Sequence, residues 1–279
     1  MTEEEARNGD GDSTLFVKAS LFNHRCIDNA TWTVMNNVIV IRARTPIRCG
    51  EEVLLSYSMP GTPPCDLIIQ KHLGSKTCGC QLCKHDVAEG VAKVEKRRSI
   101  VKEQVRPLAA LIRDTPSPSP KHSRLLRQVE DLIAAIEATY SPSRPENLRP
   151  DLAVALHLLG ESITWTHSDV ERRRSIELSL RSLTVCGGIV EYEAGGGGIH
   201  VVQPPFYIEH DGVSVLLNCA RRYAHRMDPE ENTIAMKWIK AAMDLERLRS
   251  GGKYPVFRLK HAYGITFLGL EQLVDLFRP

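Results

Sequence analysis

Three cysteines within six residues, Cys78-Gly79-Cys80-Gln81-Leu82-Cys83, constrain this chain more than any other stretch. Zinc takes four thiolate or imidazole ligands in a tetrahedron, and three soft ligands this close supply most of one. Glycine at position 79 lets the backbone bend between two of them. The other reading, reduced free thiols, is the less common fate of three neighbouring cysteines. The chain has eight cysteines, and it opens on Met1-Thr2-Glu3-Glu4-Glu5, which is acidic and lacks the apolar core of a signal peptide. An intracellular, reducing location, nuclear or cytoplasmic, is therefore expected, where clustered cysteines hold metals more often than they form disulfides. Cys49, Cys186 and Cys219 lie outside the cluster and read as buried small apolar residues.

With 279 residues the chain has room for one large or two small domains. A formal net charge of +2 gives no strong attraction to nucleic acid or to a membrane surface. No run approaches the roughly 18 apolar residues of a bilayer span. Residues 91–130 carry 10 Lys/Arg against 4 Asp/Glu. That excess reads as a solvated helix face, and nucleic acid as an unlikely partner.

Residues 1–13 read as a disordered, polar leader that includes Gly9-Asp10-Gly11. Thr31-Trp32-Thr33-Val34 and Val38–Ala43 are rich in β-branched and aromatic residues, and Asn36-Asn37 between them suits a tight turn, so a β-hairpin is expected. Val53–Tyr57 reads as another short strand and Asp66–Leu73 as a short helix. From about residue 86 the hydrophobic period becomes helical: Val94, Val101, Val105, Leu108 and Ile112 share one face. Thr115–Pro120 reads as an extended polar linker. Helices are expected over about 123–139, 150–166, 170–185, 213–226, 230–249 and 264–277. Gly195–Gly198 lacks the Lys-Ser/Thr of a phosphate loop and reads as a flexible loop. Small residues such as Cys219, Ala220, Ala235, Ala241 and Ala242 suggest helices stacked in antiparallel pairs, tetratricopeptide-like but without a clean 34-residue period.

Read in order, the run Leu21-Phe22-Asn23-His24-Arg25-Cys26-Ile27-Asp28-Asn29-Ala30, then Val38–Ala43, Gly50-Glu51-Glu52, Ser56-Tyr57 and the cysteine knuckle resemble the C-terminal half of a SET domain with its post-SET zinc site. The resemblance covers about a quarter of the chain. It is strongest to the SMYD-like group, in which a helical, tetratricopeptide-like region follows the catalytic domain. It implies an α+β protein: a leader over 1–13, the C-terminal half of a SET domain over 14–64, a post-SET zinc knuckle over 65–90 and a helical region over 91–279. It also implies a protein-lysine methyltransferase using S-adenosylmethionine, with Asn23 and His24 against the cofactor and Tyr57 lining the channel for the lysine amine. Zinc would be held by Cys78, Cys80, Cys83 and, as fourth ligand, Cys26, with Cys65 and His85 as alternatives. The partner would be a protein with a target lysine, histones among the candidates, and the helical region would bind peptides.

The chain departs from the pattern at Arg25, where a small residue is usual, at Asp28, where proline is usual, and at Lys76-Thr77, where an aromatic residue often precedes the knuckle. Residues 1–20 are too few to supply the N-terminal half of the domain, so impaired activity is expected of a truncated form. The alternative is a non-catalytic zinc-binding and helical-repeat interaction module.

Overall fold

The switch in hydrophobic period marks where sheet gives way to helix. The computed structural model describes residues 16–35, 38–57, 78–163, 168–192, 199–206, 212–224 and 228–279. The expected hairpin is present: β2 (Ala30–Met35) runs antiparallel to β3 (Val38–Ala43), with Ala30 opposite Ala43 and Met35 opposite Val38. Its branched and aromatic side chains suit a half-buried pleat. The strand expected over Val53–Tyr57 contracts to β4 (Leu54–Leu55), which pairs in parallel with β1 (Asn23–His24). The leader 1–13, the turn Asn36-Asn37 and the helix expected over Asp66–Leu73 lie outside the described residues.

Helix α1 (Gln81–Glu89) starts inside the cysteine knuckle, with Cys80 as its N-cap residue. Gly90, at φ +86°, a conformation that glycine adopts at little cost, separates it from α2 (Val91–Ile100), so the single expected helix is broken there. A π-helical turn, Val101–Val105, joins α2 to α3 (Arg106–Arg113). The Pro107 ring would clash with the carbonyl four residues back in a regular helix, and the wider turn relieves it. Thr115–Pro120 is not an extended linker. Thr115 is buried and donates to the Leu111 carbonyl at 2.7 Å, and Ser119 caps α4 (Pro120–Glu137) by accepting from the His122 N–H at 3.1 Å. The hydroxyls and Pro120 at the first helical position turn the chain back tightly, so α3 and α4 pack together.

Helices α5 (Ala153–Ser162) and α6 (Asp169–Thr184) follow. A second antiparallel hairpin, β5 (Ile189–Tyr192) with β6 (Ile199–Gln203), was not expected from the sequence. Helices α7 (Gly212–Ala224) and α8 (Pro229–Ser250) come next. A short helix that was not expected, α9 (Tyr254–Lys260), follows, and the last expected helix is instead two short ones, α10 (Ala262–Phe267) and α11 (Glu271–Asp275). One apolar core gathers α3 to α5 around Val129, Ile136 and Leu156. Another gathers α6 to α11 around Trp238, and there Cys219, Ala220, Ala235 and Ala242 let α7 and α8 approach closely. No described helix is long and apolar enough to cross a membrane.

The basic stretch 91–130 is not wholly solvated. Arg97 is fully buried and pairs with Asp86 (2.6 Å), Glu89 (2.8 Å) and Asp151 (3.0 Å). Arg144 reaches the same Asp86 and Glu89 at 2.7 and 2.8 Å. The Tyr140 ring lies under both guanidinium groups, 4.4 and 4.8 Å from its centre, and its hydroxyl donates to Asp151 at 3.0 Å. This cluster fixes α1, and with it the knuckle, to the helical region.

The N-terminal hairpin is fixed to α8. Arg42 Nε donates to the Leu248 carbonyl at 3.3 Å, and Lys260 Nζ lies 2.7 Å from Glu246 and 3.5 Å from Thr33 Oγ1. Burial alone would raise the Glu246 pKa, but hydrogen bonds with His261, Lys260 and Ser250 outweigh it and hold it at about 2. Because this folded pKa lies below the ordinary 4.5, the stabilisation is full above pH 4.5 and is lost as pH falls towards 2. Glu246→Gln is expected to cost about 2 kcal/mol at neutral pH, less than a fully buried pair because Lys260 is partly exposed. It should also flatten the decline in denaturation midpoint between those two pH values, and an equal slope in both proteins would refute the assignment.

Candidate metal centre and cofactor wall

The parallel pairing of β1 with β4 sets Asn23 opposite Leu54 and His24 opposite Leu55, and the Arg25 N–H donates to the Leu55 carbonyl at 3.0 Å. Two strands this short need side-chain support, and buried Asn29 gives it. Its Oδ1 accepts from the Leu54 N–H at 2.8 Å, and its Nδ2 donates to the Glu52 carbonyl at 2.9 Å and to Glu51 Oε1 at 3.2 Å. Trp32 Nε1 donates to the Ser56 carbonyl at 3.0 Å and steers the chain towards Tyr57. Asn29 belongs to the quoted motif but had no role in the sequence reading. A buried amide that bridges two segments shows only once both are placed.

Asp28, where the resemblance calls for proline, is the partner of buried Arg44. Arg44 Nε lies 2.9 Å from Asp28 Oδ1 and 3.0 Å from its carbonyl, and Nη1 donates to the Pro204 carbonyl at 3.1 Å. Burial pushes the Asp28 carboxyl up to about 6, and the Arg44 charge opposes that rise. An ionic clamp thus fixes the backbone at this position. It also joins the segment to the end of β6, whose neighbour Phe206 packs against the cysteines.

The structure brings His24 and Tyr57 into contact. Their ring centres are 5.0 Å apart, and the Tyr57 backbone N–H donates to His24 Nδ1 at 3.0 Å. Burial lowers the His24 pKa, which favours the neutral ring. With Nδ1 accepting, the ring proton sits on Nε2, which faces Cys26 Sγ at 3.3 Å. The Tyr57 hydroxyl donates to the Phe22 carbonyl at 2.7 Å, and the residue remains 40% exposed. Asn23 turns elsewhere: its Nδ2 donates to Glu52 Oε1, which leaves Oδ1 on the exposed side as an acceptor.

The ligand atoms of Cys26, Cys78, Cys80 and Cys83 all lie within 4.8 Å of one another, with Cys26 and Cys83 sulfurs 3.5 Å apart. A tetrahedral zinc with 2.3 Å bonds needs sulfurs about 3.8 Å apart, so a small contraction fits the ion. Cys80 and Cys83 stand at the N-terminus of α1, where the helix dipole favours thiolate. The hydrogen bond between them holds the Cys80 thiol below its ordinary range against the effect of burial and pushes the Cys83 thiol up. Cys78, Cys80 and Cys83 form no disulfide, whereas Cys26 is disulfide-bonded, so the four-thiolate set requires that bond to be reduced. His85 is not part of the group, and Cys65 lies outside the described residues. Cys186 and Cys219 are buried as expected, but Cys49 is exposed.

Residues 2–58 match the SET domain family model. The match begins inside the stretch read as a leader and ends one residue after Tyr57. No curated protein matches the chain.

Elemental analysis of the reduced protein is expected to find one zinc per chain, and Cys80→Ser should bring it close to none. Cys26→Ser should weaken binding. Unchanged affinity in that variant would take the fourth place from Cys26 and leave Cys65 as the alternative, and a zinc-free wild type would refute the centre altogether.

Proposed function

We propose, on the premise of SET-domain sequence at residues 2–58, that this is a protein-lysine methyltransferase-like protein. Its substrate would be a protein lysine and its methyl donor S-adenosylmethionine. The observation that carries the reading is the His24–Tyr57 contact at the end of the matched segment. Asn23 Oδ1 and the backbone around His24 would meet the cofactor. When bound, S-adenosylmethionine supplies an electrophilic sulfonium methyl.

Tyr57 would orient the acceptor. Its hydroxyl proton is given to the Phe22 carbonyl, so its oxygen lone pairs are left to accept an N–H of the incoming lysine amine. That directs the nitrogen lone pair at the donor carbon, and alignment within about 3–3.5 Å is worth orders of magnitude in rate. The closed set of four cysteines would be structural, tying the segment after β1 to the start of α1. The helical region, tetratricopeptide-like in this reading, would present a concave face to peptides, histones among the candidate partners, in the nucleus or cytoplasm.

A second reading, a non-catalytic zinc and helical-repeat interaction module, is favoured by one observation: Asn23 turns away from the His24–Tyr57 pair and is already engaged by Glu52. Calorimetry with S-adenosylmethionine and a labelled-methyl assay on protein substrates separate the two. Weak cofactor binding that Asn23→Ala removes, with slow transfer that Tyr57→Phe lowers about 100-fold, supports the enzyme. Cofactor affinity untouched by Asn23→Ala, or no transfer at any cofactor concentration, supports the module.

A further inference from the structure

His24 touches both halves of the site through different ring atoms. Nδ1 accepts from the Tyr57 backbone N–H at 3.0 Å, and Nε2 faces Cys26 Sγ at 3.3 Å. We propose that His24 is a positioning residue which holds the Tyr57 backbone to the Cys26 sulfur, so that the state of the cysteine centre is read out at the tyrosine. This deepens the function proposed above and rests on its metal centre and on its role for Tyr57.

The coupling follows from elementary hydrogen-bond chemistry. A disulfide or thiol sulfur is a weak acceptor for Nε2–H, whereas a metal-bound thiolate carries negative charge and accepts more strongly. Donation to an anion makes the imidazole more electron-rich, which improves Nδ1 as an acceptor for the Tyr57 N–H. The two bonds therefore strengthen together. The ring has little freedom to respond otherwise, because it also packs at a tilt against the Tyr57 ring. Tyr57 lies two residues beyond β4, and its hydroxyl bond to Phe22 returns to the residue before β1. A shift of its backbone moves the hydroxyl that would meet the lysine.

Two substitutions separate the two arms. Asn places an amide oxygen near the position of Nδ1 and has nothing at Nε2. Gln places an amide nitrogen near Nε2 and has nothing at Nδ1. The experiment uses the full chain, reduced and ¹⁵N-labelled, and follows the Tyr57 amide resonance while zinc itself is titrated in and then removed with a chelator. In wild type the resonance should move with zinc occupancy. In His24→Asn, zinc affinity should fall about 10-fold, the lower end of the usual loss for an outer-shell partner, and the Tyr57 resonance should stop following the metal. His24→Gln should keep near-wild-type zinc affinity and also lose the Tyr57 response. A Tyr57 response unchanged in His24→Asn overturns the proposal, as does a wild-type resonance indifferent to bound zinc. Failure of wild type to bind zinc overturns the metal centre first and this inference with it. Zinc binding without a Tyr57 response overturns this inference alone.

Discussion

A network of buried charges determines where the knuckle can be. Arg97 and Arg144 have almost no exposed surface, and between them they hold Asp86 and Glu89 of α1 and Asp151 ahead of α5. An unpaired buried ion costs several kcal/mol, so removing any one member strands the others in a poorly solvated interior. The cluster stabilises the fold less by net attraction than by making every other arrangement worse. Its effect is directional, because two carboxylates one helical turn apart on α1 meet arginines from two different parts of the chain. That sets the azimuth and height of the helix whose first turn carries Cys80 and Cys83. The sulfurs converge because the helix behind them cannot rotate.

The other half of the centre arrives by a different route. Cys26 follows β1, which is held by a parallel two-residue pairing, the Asn29 bridge and the Arg44 clamp. None of these is strong alone. Together they hold in place a segment with little regular structure. The centre thus joins a rigid helix terminus to a segment braced by side chains, and Phe206 from beyond β6 covers the joint.

How much of this was legible in the sequence differs from element to element. The β2–β3 hairpin was, because two strands of branched residues flank an obvious turn. Most helices after residue 120 were, because a 3.6-residue period survives over three or more turns. Hairpin β5–β6 was not, because strands of four and five residues flanking a glycine run give too few alternations to stand out. Thr115–Pro120 was misread because proline and serine serve both linkers and helix caps, and only the hydrogen bonds of Thr115 and Ser119 decide between them. Most charges of the basic stretch are solvated as read, but Arg97 is not, because counting charges does not reveal which arginine faces inwards. At the site, Tyr57, His24 and the three knuckle cysteines were named from local pattern and resemblance. Asn29, Arg44 and Phe206 were not, since their partners lie 16 to 160 residues away or in another core.

The anchoring of the first hairpin on α8 has a consequence for biosynthesis. Arg42 and its acceptor Leu248 are 206 residues apart. At elongation rates of about 5–20 residues per second, the strands leave the ribosome roughly 10 to 40 s before the surface they rest on exists. During that interval Arg42 and the rest of the β2–β3 hairpin lack the surface of α8, while the knuckle cysteines, which emerge earlier, are already available to Cys26. A cysteine centre assembled in that order would act as a temporary clasp, keeping the N-terminal strands in register until the helix they rest on has been made.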